Sequence, residues 1–224
     1  YVGYSRVVQE HQGNNLIFAE EYGSGLDMFD VAGQHWQPGP KLPCSDCHPL
    51  ALDGQGRGWG GGSNGLWITD GQTQQNLTTA DGLPSDTVTA VAFITDTAWI
   101  GTSAGVAVYD GKRIVATYTA AADGLASDNI SALMADSAGG MWVGTDPGLS
   151  YYSPAGQWQH FSVGQPFVNN VRTTDLAQDG QGALWVTTAG DGVYRYLSGD
   201  WQRFTSTSPG GVGPIDNSNS VTVA

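Results

Sequence analysis

One sequence pattern recurs along the chain at intervals of 40 to 43 residues. Each copy has a large apolar anchor residue, then small residues, then a short run rich in Val, Leu, Tyr or Met. The anchors are Leu16, Trp59, Trp99, Trp142 and Trp185. Repeats of this length are typical of the four-stranded blades of a β-propeller. No copy shows the 3.6-residue apolar period of an amphipathic helix, so the repeat predicts an all-β chain.

Each copy is expected to form four antiparallel strands joined by short turns that contain glycine. A single sheet of this kind cannot bury both of its faces, whereas blades stacked around an axis cover each other. The copies predict one β-propeller domain with five visible blades, at about 4–37, 50–76, 88–118, 130–161 and 173–204. Residues 217–224 read as the first strand of a sixth blade. We therefore expect the chain to form part of a larger ring.

Composition narrows the possible partners and location. The 224 residues include 33 glycines, which suits many tight turns, and the formal net charge is −13. A surface this acidic repels phosphate backbones, so nucleic acid is not expected as a partner. No apolar run reaches the roughly 18 residues of a membrane-spanning helix. The chain contains two lysines, Lys41 and Lys112, and this scarcity favours an extracytoplasmic location, periplasmic or at the cell surface.

The segments between the copies carry a second motif. Asp-Gly-Leu-Pro-Ser-Asp occupies residues 81–86, and Asp-Gly-Leu-Ala-Ser-Asp occupies residues 123–128. Together with the strands that follow them, these segments resemble the two-component regulator propeller repeat. The resemblance implies a non-catalytic propeller, similar to the sensor region of hybrid two-component proteins, that binds a polar small molecule, a glycan or a protein. A structural interaction module of a larger extracellular assembly is the alternative.

Candidate ligand-binding residues follow from the propeller geometry. The turns between the second and third strands of each blade meet the loops between blades on one face. On that face, the informative positions are those at which the copies differ, because the shared residues already have a role in the fold. These positions include Tyr22, Asn64, Asp146, Arg172 and Asp191. Arg172 is notable because the whole chain has only eight Lys and Arg residues.

The two cysteines form the motif Cys44-Ser-Asp-Cys47-His48, which matches the attachment signature of c-type haem. A haem-containing redox protein is therefore a further alternative. The repeat favours another interpretation. When the copies are aligned, Cys47 falls at the apolar inner-strand position of Ile130, and no insertion makes room for a porphyrin. We expect a disulfide between Cys44 and Cys47 or two free thiols, with no metal site and no other cofactor.

Three Asp-x-x-Gly runs lie at the same place in their copies, at 53–56, 136–139 and 179–182. They lack the regular ligand spacing of a calcium-binding loop. Their recurrence instead predicts hairpin turns, in which the Asp side chain caps the backbone and Gly adopts a left-handed conformation.

Overall fold

A computed structural model describes residues 6–11, 15–19, 25–30, 33–44, 47, 50–164, 166–207 and 221. Within these ranges the chain forms five sheets, and in each sheet four consecutive strands pair antiparallel in sequence order. The first strands of successive sheets lie next to one another. The predicted all-β architecture of four-stranded propeller blades is confirmed.

The strands of blades 1 and 2 are as follows: β1 (Arg6–His11), β2 (Asn15–Ala19), β3 (Gly25–Asp30), β4 (His35–Lys41), β5 (Leu50–Leu52), β6 (Gly58–Gly62), β7 (Gly65–Thr69) and β8 (Gln74–Leu77). A short 3₁₀ turn, Thr79–Asp81, lies in the loop that leads from blade 2 to blade 3. The strands of blade 3 are β9 (Val88–Ile94), β10 (Thr97–Thr102), β11 (Gly105–Tyr109) and β12 (Ile114–Tyr118).

A single helical turn, α1 (Ala120–Asp123), lies in the loop that leads into blade 4. Blade 4 contains β13 (Ile130–Ala135), β14 (Met141–Thr145), β15 (Leu149–Tyr152) and β16 (Trp158–Val163), and the short β17 (Pro166–Phe167) pairs parallel with β16. Blade 5 contains β18 (Thr173–Gln178), β19 (Leu184–Thr188), β20 (Val193–Leu197) and β21 (Asp200–Phe204).

The anchor tryptophans of blades 2, 3 and 4 pack against the blade that follows. Trp59 contacts Phe93 and Tyr109 of blade 3, with ring centroids 5.2 and 5.9 Å apart. Trp99 contacts Tyr152 of blade 4 in the same way, at 5.0 Å. Because side chains alternate along a strand, the residue after each anchor points back toward the preceding blade. These following residues are the fully buried Ile100, Val143 and Val186.

Glycines two residues after the anchor allow the next blade to approach closely. A Cβ atom on Gly101 would lie 2.6 Å from the Ile130 side chain, and one on Gly144 would lie 2.7 Å from the Thr173 side chain. Ile130 and Thr173 begin the inner strands of the following blades. The small residue in the repeat is therefore required by the spacing of the blades.

The sixth-blade strand expected at 217–224 lies outside the described residues, apart from Val221. The backbone N–H of Val221 donates to the Asp175 carboxylate on β18, at 3.1 Å. No helix in the described ranges has the length and apolarity needed to cross a membrane.

Candidate functional site

The turns between the second and third strands and the loops between blades lie together on one side of the sheets. Backbone hydrogen bonds join them: Ser103 donates to Thr87 at 3.0 Å, Asp146 to Asn129 at 2.9 Å, and Ala189 to Arg172 at 3.0 Å. We call this side the loop face. It comprises the turns 63–64, 103–104, 146–147 and 189–191 and the loops 78–87, 119–129 and 166–172.

Two loops of this face use the Asp-Gly-Leu motif for their own structure. In the first loop the Asp86 carboxylate accepts the backbone N–H of Thr79 at 2.6 Å, and in the second the Asp128 carboxylate accepts that of Ala120 at 2.6 Å. The motif leucine of the first loop, Leu83, is buried. These motif carboxylates cap backbone groups, so they are committed to the fold.

The loop that leads into blade 5 is built differently. It lacks the Asp-Gly-Leu motif, and a carboxylate from the blade 5 turn holds it in place. Asp191 accepts the backbone N–H groups of Val168 and Asn169 at 3.0 and 3.1 Å and the Asn169 side-chain amide at 2.8 Å. It also accepts the Tyr194 hydroxyl at 2.6 Å and forms an ion pair with Arg203 at 2.6 Å. Both carboxylate oxygens of Asp191 are therefore used within the chain.

The electrostatics of this carboxylate agree with its contacts. Burial raises the pKa of Asp191, but hydrogen bonds from Tyr194 and Asn169 and the positive charge of Arg203 outweigh burial, so its pKa lies below the ordinary value. Burial and the hydrogen bond to Asp191 raise the pKa of Tyr194 to about 12. At neutral pH an ionised carboxylate thus holds a neutral phenol, which stabilises the loop.

The structure places the predicted ligand-binding residues in different environments. Tyr22 lies outside the described residues. Asn64, Asp146 and Arg172 are exposed on the loop face, as a ligand-binding role requires. Asp191 differs from the sequence expectation, because its side chain is 0% exposed. The blade 5 turn is one residue longer than those of blades 3 and 4, and the added position lets Asp191 fold inward.

The anchored loop presents side chains that the fold does not use. Val168 is 58% exposed, and Asn170 and Arg172 are also exposed, whereas the exposed Asn169 uses its side-chain amide to bind Asp191. Within the described ranges no acidic side chain forms an ion pair with Arg172. We call residues 168–172 the junction platform. Sequence reasoning missed Val168 and Asn170, although the departure of this loop from the Asp-Gly-Leu motif was a signal for them.

Cys44 and Cys47 form a disulfide in the structure, with Cα atoms 5.5 Å apart. Cys47 and the neighbouring Leu42 are buried, with 7% and 2% exposure. A Cβ atom on Gly60 would lie 2.7 Å from Leu42 Cδ1 and 2.8 Å from Cys47 Sγ. Gly60 follows the anchor Trp59, at the position where the later blades have a buried Ile or Val. The disulfide segment therefore fills the space of that missing side chain.

Covalent attachment of haem would need both cysteine sulfur atoms as thioethers, and in the structure these atoms are joined to each other. His48, the last residue of the motif, lies outside the described residues. In the described part of the chain, no group of three or more His, Cys, Asp or Glu side chains is arranged to hold a metal ion.

The three Asp-x-x-Gly runs form turns, as predicted. Asp53 accepts the backbone N–H groups of Gln55 and Arg57, both at 2.9 Å. Its carboxylate also accepts the indole N–H of the anchor Trp59 at 2.9 Å. Asp179 makes the equivalent bond to Trp185 at 2.9 Å. The recurring Asp therefore caps the turn and fixes the anchor tryptophan in blades 2 and 5.

The family comparison supports the resemblance drawn from the sequence. Residues 124–146 match the model of the two-component regulator propeller family. This segment runs from the loop before blade 4 to the turn after β14, so it contains the Gly-Leu-x-Ser-Asp part of the motif and the anchor Trp142. The predicted likeness to this repeat is confirmed. A search of curated protein sequences finds no match.

Solved structures share the fold. The extracellular domain of BT3049 from B. thetaiotaomicron, described as a hybrid two-component system, matches with a TM-score of 0.69 and 22% identity over 91% of this chain and 28% of that chain. The extracellular domain of BT4673 from the same organism, described as a one-component system, matches with a TM-score of 0.71 and 22% identity over 97% of this chain and 30% of that chain. Virginiamycin B lyase from Staphylococcus aureus matches with a TM-score of 0.71 and 13% identity over 99% of this chain and 74% of that chain.

This chain spans less than a third of the length of the first two structures. At these identities the comparisons show the propeller fold. The fold occurs both in extracellular domains of signalling proteins and in a lyase, so function must be argued from the site.

Proposed function

We propose that this chain is a propeller segment of an extracytoplasmic sensor-type protein that binds a polar ligand on its loop face and does not catalyse a reaction. The observation that carries the proposal is the junction platform. Its backbone is fixed through the buried carboxylate of Asp191, while the side chains of Val168, Asn170 and Arg172 are exposed. A rigid backbone that presents exposed side chains is the arrangement expected of a preorganised binding site.

The position of the platform supports this role. The loops into blades 3 and 4 use their motif residues to cap their own backbone, as Asp86 and Asp128 do. The loop into blade 5 departs from the motif, so the repeat alone does not account for its exposed residues. In repeat proteins, residues that the repeat does not require are the natural place for binding function.

Location outside the cytoplasm is supported by three observations. The similar structures BT3049 and BT4673 are extracellular domains. A Cys44–Cys47 disulfide is the form that cysteines take in an oxidising compartment. The scarcity of lysine fits the same environment.

The chemistry of the described loop face favours binding over catalysis. The loop-face groups whose pKa values are shifted, Asp191 and Tyr194, are buried and hydrogen-bonded to each other. Neither side chain is therefore free to exchange a proton with a substrate. The other exposed groups are amides, hydroxyls, one guanidinium and the carboxylates of Asp81 and Asp146. Asp81 accepts the backbone N–H of Thr78 at 2.9 Å, and these groups form no hydrogen-bonded acid–base pair within the described ranges.

A purely structural interaction module would be favoured by a broad apolar patch. Among the described residues, the large exposed apolar side chains are Val115 and Val168, at 48% and 58% exposure. Val115 lies on β12, the outer strand of blade 3, whereas Val168 lies on the junction platform, so the two do not form one patch.

The proposal is tested by screening the labelled chain against arrays of oligosaccharides and peptides, followed by calorimetry with each ligand that binds. The platform variant Val168→Ser/Arg172→Ala is compared with the matched surface variant Val115→Ser/Arg113→Ala on blade 3. Loss of binding in the platform variant alone supports the site. Equal binding by both variants would overturn it, and conversion of the ligand into a product would contradict the non-catalytic role.

A further inference from the structure

We infer that the junction platform selects a saccharide that carries a carboxylate, and that Arg172 is the residue that recognises this group. The inference rests on the proposed function, because it names the ligand chemistry of the same site. It comes from the charge inventory of the loop face, from the fixed backbone around Arg172, and from the kinds of hydrogen-bonding group that remain available there.

Among the arginines that the structure describes near this face, one forms no ion pair or ring contact. Arg203 is paired with Asp191 at 2.6 Å, and on the opposite edge of the sheets Arg57 is paired with Asp53 at 2.6 Å. Arg195 lies over the ring of Trp185, 5.8 Å from its centroid. Arg172 is exposed and has no ion pair among the described residues. In a chain of net charge −13, an uncompensated guanidinium marks the position where an anion is least repelled.

The backbone around Arg172 is fixed on both sides. The Arg172 carbonyl accepts the N–H of Ala189 at 3.0 Å, and the Val171 carbonyl accepts the N–H of Gly148 at 3.1 Å. Gly148 and Arg172 also form an isolated parallel bridge. Binding therefore has to order the arginine side chain but not the loop. A guanidinium fork held in this way matches the two oxygens of a carboxylate.

The carboxylates around the platform differ in their state. Asp191 is neutralised by Arg203, and Asp128 is occupied with the backbone N–H of Ala120. Asp146, on the adjacent turn of blade 4, is exposed. Among the described residues, the unpaired guanidinium of Arg172 therefore lies near the exposed carboxylate of Asp146. Together they tolerate a ligand with a single negative charge and repel a ligand with a dense cluster of negative charges. This arrangement favours an isolated carboxylate over a polyanion.

The remaining groups favour a sugar over a peptide. The backbone N–H groups of Ser103, Asp146 and Ala189 are bonded to the neighbouring loops, so within the described loop face these turns do not offer the open strand edge that an extended peptide would join. Recognition falls to side chains. The exposed ones include the amides of Asn129 and Asn170, which pair well with hydroxyl groups.

The test uses galacturonate-, glucuronate- and sialate-bearing oligosaccharides, each paired with its neutral methyl ester, and an acidic glutamate peptide as the other class. Calorimetry is run on the wild-type chain, on Arg172→Ala and Arg172→Lys, and on the control Arg113→Ala. At least one acid is expected to bind roughly tenfold or more tightly than its ester, since a charge-assisted bidentate pair is lost on esterification. Arg172→Ala should abolish this difference, Arg172→Lys should retain part of it, and Arg113→Ala should leave it unchanged.

The outcomes separate this inference from the proposed function. Equal binding of acid and ester, or binding of neutral saccharides only, overturns the selection of a carboxylate but is compatible with a ligand site on the platform. If the glutamate peptide alone binds, and Arg172→Ala abolishes that binding, the ligand is an acidic peptide and the assignment of a saccharide is overturned. Absence of binding to every acid of the panel overturns the inference. The proposed binding site on the platform is overturned as well if the platform variant binds every ligand found on the wider arrays as tightly as the wild type does.

Discussion

Substitution of Gly60 by alanine tests how the disulfide segment packs against blade 2. The added Cβ would lie 2.7 Å from Leu42 Cδ1, 2.8 Å from Cys47 Sγ and 3.0 Å from Cys47 Cβ. The leucine terminus can rotate, but Cys47 is tied to Cys44 three residues away. Overpacking of this kind costs about 1–3 kcal/mol. For a chain of this size, each kcal/mol lowers the thermal midpoint by roughly 2–4 °C.

The assay is thermal unfolding followed by circular dichroism, with Gly54→Ala as the matched control. A Cβ on Gly54 would meet nothing within 4 Å, so this variant should match the wild type. Cys47→Ala opens the disulfide loop, which costs about 2 kcal/mol in the chain-entropy model for a loop of about four residues. It also removes the obstructing sulfur, so Gly60→Ala should cost less in that background than in the wild type. Equal midpoints for Gly60→Ala and Gly54→Ala would refute the packing argument.

Three further predictions concern buried groups. Asp191→Asn leaves Arg203 without its partner and should lower the free energy of unfolding by about 3 kcal/mol, measured by urea denaturation. The lowered pKa of Asp191 means that its contribution is present above its unfolded pKa near 3.8 and is lost as the pH falls through the folded value. The acid-unfolding curve of Asp191→Asn should therefore be flatter than that of the wild type. Conversely, Tyr194, with its pKa raised to about 12, contributes stability that is present below pH 10 and lost as the pH rises toward 12, so an alkaline titration of Tyr194→Phe should lack this step. Unreduced protein should weigh about two daltons less than the reduced chain, as a Cys44–Cys47 disulfide requires, and should show no Soret band. A haem-sized mass increase with such a band would establish the redox alternative.

Much of the fold follows from local patterns in the sequence. The anchors Trp59, Trp99 and Trp142 recur at the blade period and occupy equivalent positions between blades. The Asp-x-x-Gly turns were also predicted correctly, because one carboxylate and a short loop determine the geometry. These features recur in several copies of one chain, so each copy supports the prediction made from the others.

The candidate site could be predicted only in part. Arg172 and Asp146 were placed on the correct face because the strand order fixes which turns lie there. The burial of Asp191 was not predicted, since it depends on one additional turn residue and on Arg203 across the β20–β21 hairpin. The role of Gly60 was missed for a similar reason: the atoms that fill its space belong to a segment that lies before the blade in sequence.

Backbone amide NMR with the tightest ligand from the arrays shows where on the propeller the ligand binds. Binding at the junction platform predicts that the largest chemical-shift changes fall on residues 168–172 and on the adjacent turn 189–191. Small changes are expected at the opposite edge, in turns such as 70–73 and 110–113. Changes concentrated at that opposite edge, with residues 168–172 unaffected, would contradict the account.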